Sequence, residues 1–327
     1  MRFYLKYDLR APGFGPPAEE LYQACIEQCA WAERHGFTGV RFHEHHASED
    51  GYLPSPIVMG GVVAGATTKL AIRFSVIVLP VHEPLRIAED LAVLDIASRG
   101  RVELVVGAGY VPYEFTMFGR DVGDRVALVE RNVRILRAAW TGEEFDIDGR
   151  PARIRPRPYR GRSIPIALGG SSVRAARQAA RIADGFDPVP RRFLDAYLRE
   201  CAAFGKDPGW YPGPGHELRL LHVATDPDAA WARIRRYAAH ENEAYTRLGA
   251  SAGSGFRPTP DPDQLRASGA YRIVTPKECV ELLRGLGPDA DVQLHPLVGG
   301  LDPEVAWESL HLFYAEVMPQ LAEENEA

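Results

Sequence analysis

The chain has 327 residues, 46% of them hydrophobic, which is enough to bury one large core, and its formal net charge is −6. That charge leaves no basic face to displace counterions, which speaks against a partner among the nucleic acids. No apolar run approaches the roughly 20 residues that span a bilayer, the first residues lack the apolar region of a signal peptide, and Cys25, Cys29, Cys201 and Cys279 have neither disulfide-framework nor metal-knuckle spacing. A cytoplasmic chain with buried thiols is expected.

Short β-branched runs alternate with longer amphipathic stretches from the start. The spacing predicts strand 2–7, helix 19–35, strand 39–43, helix 56–66, strand 70–78, helix 85–97, strand 101–106 and helix 126–140. Residues 142–163, rich in Gly, Pro and Arg, read as a small inserted hairpin. The pattern resumes with strand 164–168, helix 173–183, a short strand 185–189, helix 192–204, strand 217–225 and helix 228–248, and it closes with strand 292–296 and helix 303–321. Eight strands alternating with helices predict a (β/α)8 TIM barrel, here a single domain over residues 1–327. Residues 249–272 lack periodicity and read as a flexible loop, a candidate lid after the seventh strand.

Three clusters carry chemistry. His43-Glu44-His45-His46 follows the second strand where a barrel has its catalytic mouth. If strand geometry continues, His43 and His45 face one side and Glu44 and His46 the other. A neutral imidazole can donate or accept a proton near pH 7; alternatively His43 and His45 form an H-x-H zinc pair of a metal-dependent hydrolase. The fourth strand empties into Gly107-Ala108-Gly109-Tyr110, where missing side chains would let a flat ring lie against the backbone. The fifth ends in Gly169-Gly170-Ser171-Ser172 directly before a helix, a turn prepared for a phosphate, with Arg174 able to add charge. Ser171 or Ser172 can equally be an N-cap.

Taken in order, His43-Glu44-His45-His46, Ile77-Val78-Leu79-Pro80, Pro84 to Asp90, Leu94-Asp95 with Ser98 to Arg101, Gly107 to Gly109, Phe118-Gly119, Arg125 and Gly169 to Ser172 resemble the bacterial luciferase-like monooxygenase family over about residues 1–185, and more loosely over 292–321. The resemblance implies a luciferase-like barrel that binds reduced FMN from a separate flavin reductase and uses dioxygen to oxidise a small-molecule substrate, without a metal. It makes His45 the catalytic proton donor and places a non-proline cis peptide, Ser75–Val76, beneath the flavin. Gly107 to Gly109 and Gly169 to Ser172 with Arg174 would complete the cofactor site, and Tyr110 and Tyr113 would meet substrate. The luciferase α-chain has a reactive Cys where this chain has Gly107 and a phosphate-directed Arg where it has Ala108, so light emission is not expected and the phosphate falls to Arg174 and backbone donors. Relatives that transfer hydride with a deazaflavin supply a second expectation, and a flavin-binding barrel without turnover a third. Family members dimerise through early helices, and Gly60, Gly61, Ala64, Gly65 and Ala66 offer a small-residue face for a homodimer or for seating that helix on the sheet.

Overall fold

The structure, a computed structural model, describes residues 1–249, 256–259 and 261–322. Its strands are β1 (Arg2–Tyr7), β2 (Gly39–Phe42), β3 (Ala71–Val78), β4 (Val102–Gly107), β5 (Phe145–Ile147), β6 (Arg150–Ala152), β7 (Ile166–Gly170), β8 (Gly185–Pro188), β9 (Leu220–Val223), β10 (Tyr271–Val274) and β11 (Asp291–Leu294). The chain forms two compact units: Met1–Arg41 with Ser48–Leu53 and Pro212–Ala327, and Phe42–Ala47 with Pro54–Tyr211. They are called the first and second unit below.

In the second unit β3, β4, β7 and β8 lie side by side and parallel. Parallel strands are covered on both faces, which is why β3 and β4 read as almost unbroken apolar runs instead of alternating ones. Helix Pro84–Ala97 buries Ile87, Ala88, Leu91, Ala92 and Leu94 at helical spacing. Helix Arg125–Thr141 packs beside it, its buried Trp140 donating from Nε1 to the Ala88 carbonyl at 3.1 Å. In helix Pro56–Ala66 the small residues divide their work. A side chain at Gly60 would collide with the Phe74 ring at 2.7 Å, so this glycine seats the helix on β3, whereas Gly61 and Gly65 face open space. The expected hairpin is present as the antiparallel pair β5 and β6, turned by Asp148 and Gly149, both at positive φ.

In the first unit β1 pairs in parallel with β11, and β9 with β10. Helix Ala18–Arg34 buries Leu21, Ala24, Cys25, Gln28, Cys29 and Ala32, a stripe at spacings of three and four. Gln28 accepts the buried Tyr7 hydroxyl at 2.8 Å, and all four cysteines are buried free thiols.

The βα alternation predicted from the sequence recurs, down to the short strand at β8, with β10 present beyond the eight strands expected. One expectation needs correction. Residues 249–272 are not structureless throughout: Pro262–Ala267 is a helix capped by Asp261, and Tyr271 and Arg272 begin β10. Leu265 and Tyr271 belong to a core cluster with Leu220, Trp231, Ile234 and Ile273, so burial of apolar side chains overrides the loop-like composition. Residues 250–255 and 260, the middle of the candidate lid, lie outside the described residues. Helix Pro276–Leu286, opened by a Thr275/Glu278 capping box, was also not anticipated. Among the described residues no helix is long and apolar enough to cross a membrane.

Candidate active site

Because β3, β4 and β7 run parallel, the segments leaving their carboxyl ends share one rim of the second unit. Onto that rim the segment after β2 brings His45 and His46, both buried. The helix Pro112–Met117, just beyond β4, supplies Glu114, fully buried and without a counterpart among the residues singled out by sequence. Glu114 Oε1 accepts from His45 Nδ1 at 2.8 Å and from the His46 backbone N–H at 2.9 Å. A carboxylate only accepts, so the proton of a neutral His45 sits on Nδ1 and Nε2 is left as an acceptor. Tyr110, 39% exposed, places its hydroxyl 3.2 Å from that Nε2. The result is a Glu114–His45–Tyr110 chain, with a charge-assisted bond behind the imidazole and a phenol in front of it. Tyr113 is 64% exposed.

The other half of the EHH segment, Glu44 and His46, has side-chain partners of its own, although β2 ends at Phe42 and strand geometry does not continue into it. Buried Glu44 takes both His46 Nε2 (3.0 Å) and His82 Nε2 (2.6 Å) on Oε1, and the Val78 backbone N–H (2.5 Å) on Oε2. Burial pushes its carboxyl up, but the hydrogen bonds from the two imidazoles outweigh burial and hold it at about 2. His82 is raised in turn: burial lowers it, and the bond to Glu44 outweighs that. His43 and His45 do not gather into a group of three potential metal ligands among the described residues; Glu44, His46 and His82 do.

Apart from Arg174, the residues expected at a cofactor site lie at the adjoining ends of β3, β4 and β7. The Ser75–Val76 peptide is cis, and the ladder between β3 and β4 shifts register there. A Cβ on Gly107 would stand 2.7 Å from Val76 Cγ2 and one on Gly169 2.5 Å from Val76 Cγ1. The bare ends of β4 and β7 therefore make room for Val76, whose half-buried side chain lies against both glycines. Ser75 Oγ donates to buried Asp187 Oδ2 on β8 at 2.7 Å, a second partner that sequence reading missed. Ser172 is the N-cap of helix Val173–Ile182, accepting from Ala175 N at 3.1 Å. Ala108, Gly109, Gly170 and Ser171 are half-buried at the same strand ends. Arg174 is exposed and borders a groove that Arg177 and Arg181 also line.

The first unit holds a carboxylate–imidazole group of a different kind. His295, fully buried, lies 3.6 Å from Asp8 and 3.4 Å from Glu241. Lys6 approaches Glu241 at 3.7 Å, and Arg10 approaches Asp8 at 3.3 Å and Asp50 at 2.5 Å. Burial works against the Glu241 charge, but Lys6 and His295 hold its carboxyl below the ordinary range, and Tyr271 donates to it at 2.7 Å.

In the second unit, then, a parallel sheet covered by helices carries a buried carboxylate–imidazole pair beside its strand ends. The family model described as luciferase-like monooxygenase matches residues 2–286, and the chain belongs to that family, whose members are oxidoreductases. The alkanal monooxygenase alpha chain of Photorhabdus luminescens is 30% identical over 155 residues, 46% of this chain and 43% of that one. This chain spans about half the length of the curated relatives it matches. The oxygenating constituent of 3,6-diketocamphane monooxygenase from Pseudomonas putida, solved in complex with FMN, has a TM-score of 0.77 at 19% identity, with 98% of each chain covered. An F420-dependent secondary alcohol dehydrogenase has a TM-score of 0.69 at 19% identity, covering 97% of this chain and 98% of that one. At these identities the two structures share the luciferase-like fold with this chain.

Proposed function

We propose that the chain is a monooxygenase that uses reduced FMN, delivered by a separate flavin reductase, and dioxygen to oxidise a small organic substrate. The observation that carries this reading is the Glu114–His45–Tyr110 chain on the same rim as Val76 and the Gly169 to Ser172 turn. The residues suit the cofactor: Val76 offers an apolar platform, and the opening of helix Val173–Ile182 offers backbone donors and a dipole end for a phosphate. Gly107, Ala108, Gly109, Gly170, Ser171 and Ser172 would border it, and exposed Arg174 would add positive charge. Reduced flavin, when bound, supplies the electrons for oxygen chemistry. His45 takes a proton at Nε2, Glu114 stabilises the resulting imidazolium through Nδ1, and the proton is then returned to the reacting group. Tyr110 and Tyr113 would meet the substrate. The exposed face of helix Pro56–Ala66, with Val58, Val62, Gly61 and Gly65, suits a homodimer.

Anaerobic titration with FMN and dithionite, followed by exposure to oxygen, tests the proposal. His45→Ala is expected to cut substrate-dependent oxygen consumption by about 10²- to 10⁴-fold while leaving FMN affinity unchanged, as for a positioned proton carrier. A second reading, hydride transfer with a deazaflavin, draws support from the likeness to the F420-dependent dehydrogenase. Binding of deazaflavin with no binding of FMN in either redox state would replace the first reading by the second.

A further inference from the structure

We infer that Glu44, His46 and His82 form a site for one divalent transition-metal ion of the zinc type, distinct from the proposed flavin site. The three ligand atoms come from the segment after β2 and the turn after β3, and all lie within 4.8 Å of one another. His46 Nε2 and His82 Nε2 converge on the same carboxylate oxygen, at 3.0 and 2.6 Å. Ligands at about 2.0–2.1 Å around a tetrahedral zinc stand about 3.3 Å apart. Entry of the ion therefore requires the donors to spread by less than about 1 Å. The Val78 N–H holds the other carboxylate oxygen, which is how an outer partner orients a ligating carboxylate. Two imidazoles and one carboxylate are a borderline donor set, matched to zinc, cobalt or nickel more than to magnesium or calcium.

Access and charge favour the same conclusion. Glu44 and His82 line a groove of about 830 Å³ whose wall also carries the acidic Glu83, Glu89 and Asp90 and the basic Arg86 and Arg155. Arg86 on that wall is drawn off by Glu89 at 3.2 Å and Asp90 at 3.9 Å. The fourth coordination position would open onto this groove. The first unit's Asp8, Glu241 and His295 satisfy the same distance test, yet Lys6 and Arg10 already neutralise those carboxylates and no metal is called for there. In the second unit no lysine or arginine is paired with Glu44 among the described residues, so the positive charge is left to an imidazolium or to an ion. Glu44 and His46 flank His45 in sequence, so an ion held between them ties down the peptide that carries His45.

The test uses the full chain, stripped with chelator and dialysed against zinc or cobalt. One equivalent of metal by elemental analysis is expected, with visible absorption of the cobalt form typical of four-coordinate N/O ligation. Removing an imidazole ligand by His82→Ala or His46→Ala should weaken zinc binding at least tenfold, while His311→Ala on an exposed helix should leave it unchanged. The inference is overturned if no stoichiometric metal is retained, or if binding survives both ligand substitutions. Should His46→Ala lose its fold by circular dichroism, His82→Ala decides alone, because the His82 ring is partly exposed. Apoprotein that binds flavin but no metal would sink the metal site and leave the flavin proposal standing.

Discussion

The two units solve the problem of burying carboxylates beside imidazoles in opposite ways. In the first, Asp8 is met by Arg10 and Glu241 by Lys6, so each of these buried carboxylates has a fixed cation besides His295. In the second, Glu114 and Glu44 are met only by histidines and backbone N–H groups, partners that can give up or take a proton. The identity of the counter-charge, more than burial, therefore separates a network closed by fixed cations from one whose partners can exchange a proton. Buried ion pairs add little net stability, but stripping one partner from such a pair costs about 3–5 kcal/mol.

The largest effects follow from that asymmetry. Glu241→Gln leaves Lys6 without its anion and His295 with Asp8 alone, and should destabilise the chain by about 3–5 kcal/mol, a drop in melting temperature on the order of 10 °C. Glu114→Gln keeps an acceptor for His45 Nδ1 and should cost only about 1 kcal/mol of stability. It should nevertheless slow turnover about 10²-fold, because a neutral amide no longer stabilises the imidazolium. Denaturant titration and oxygen-uptake rates on the two variants check this, and equal losses of stability would erase the distinction between the units.

A medium-sized effect separates the units by pH. His222, buried on β9, is depressed to about 4 by burial, with Arg233 adding to it and Glu308 opposing it. It folds neutral, so its contribution is complete above its ordinary 6.5 and is lost as pH falls from 6.5 through 4, about 3 kcal/mol in all. Glu44, held at about 2 against an ordinary 4.5, contributes fully above 4.5, and about 3 kcal/mol is lost as pH falls through 2. The first unit should therefore weaken before the second on acidification. Urea unfolding at pH 7, 5.5 and 4.5 should show His222→Leu losing the upper part of this dependence; an unchanged slope would mean that His222 titrates alike in the folded and unfolded chain.

How much of this was legible in the sequence follows from the range over which each contact acts. The strand order and the EHH segment were readable because hydrophobic period and strand-end position are local. Glu114 was not, since it sits in a six-residue helix too short to show a period and its partner His45 is 69 residues away. Ser75 and Asp187 meet across 112 residues, and nothing near either announces the other. The strand Tyr271–Val274 was hidden for the same reason: what makes it a strand is its pairing with Leu220–Val223. By contrast, the capping signals at Asp261 and at Thr275 with Glu278 were local and were there to be read. Glycine was a different failure. Gly107 and Gly169 were read as room for a ring, whereas it is the Val76 side chain that a Cβ at either position would meet.

The smallest expected difference lies between two tyrosines with the same task. Tyr271 donates to Glu241 inside the first unit, where water cannot replace it. Tyr271→Phe removes a hydrogen bond to a charged group and should cost about 1.5–3 kcal/mol of stability. Tyr110 donates toward His45 Nε2 at the exposed rim of the second unit, where a water can take over from the lost hydroxyl. Tyr110→Phe should therefore change stability by less than about 0.5 kcal/mol and slow turnover by about 3- to 10-fold, the loss of roughly 1 kcal/mol of hydrogen bonding. Thermal melts and steady-state rates on the pair measure both quantities. Were Tyr110→Phe the more destabilising of the two, the rim would be as closed as the first unit's network, and the proton-handling role given to His45 would lose its access to solvent and substrate.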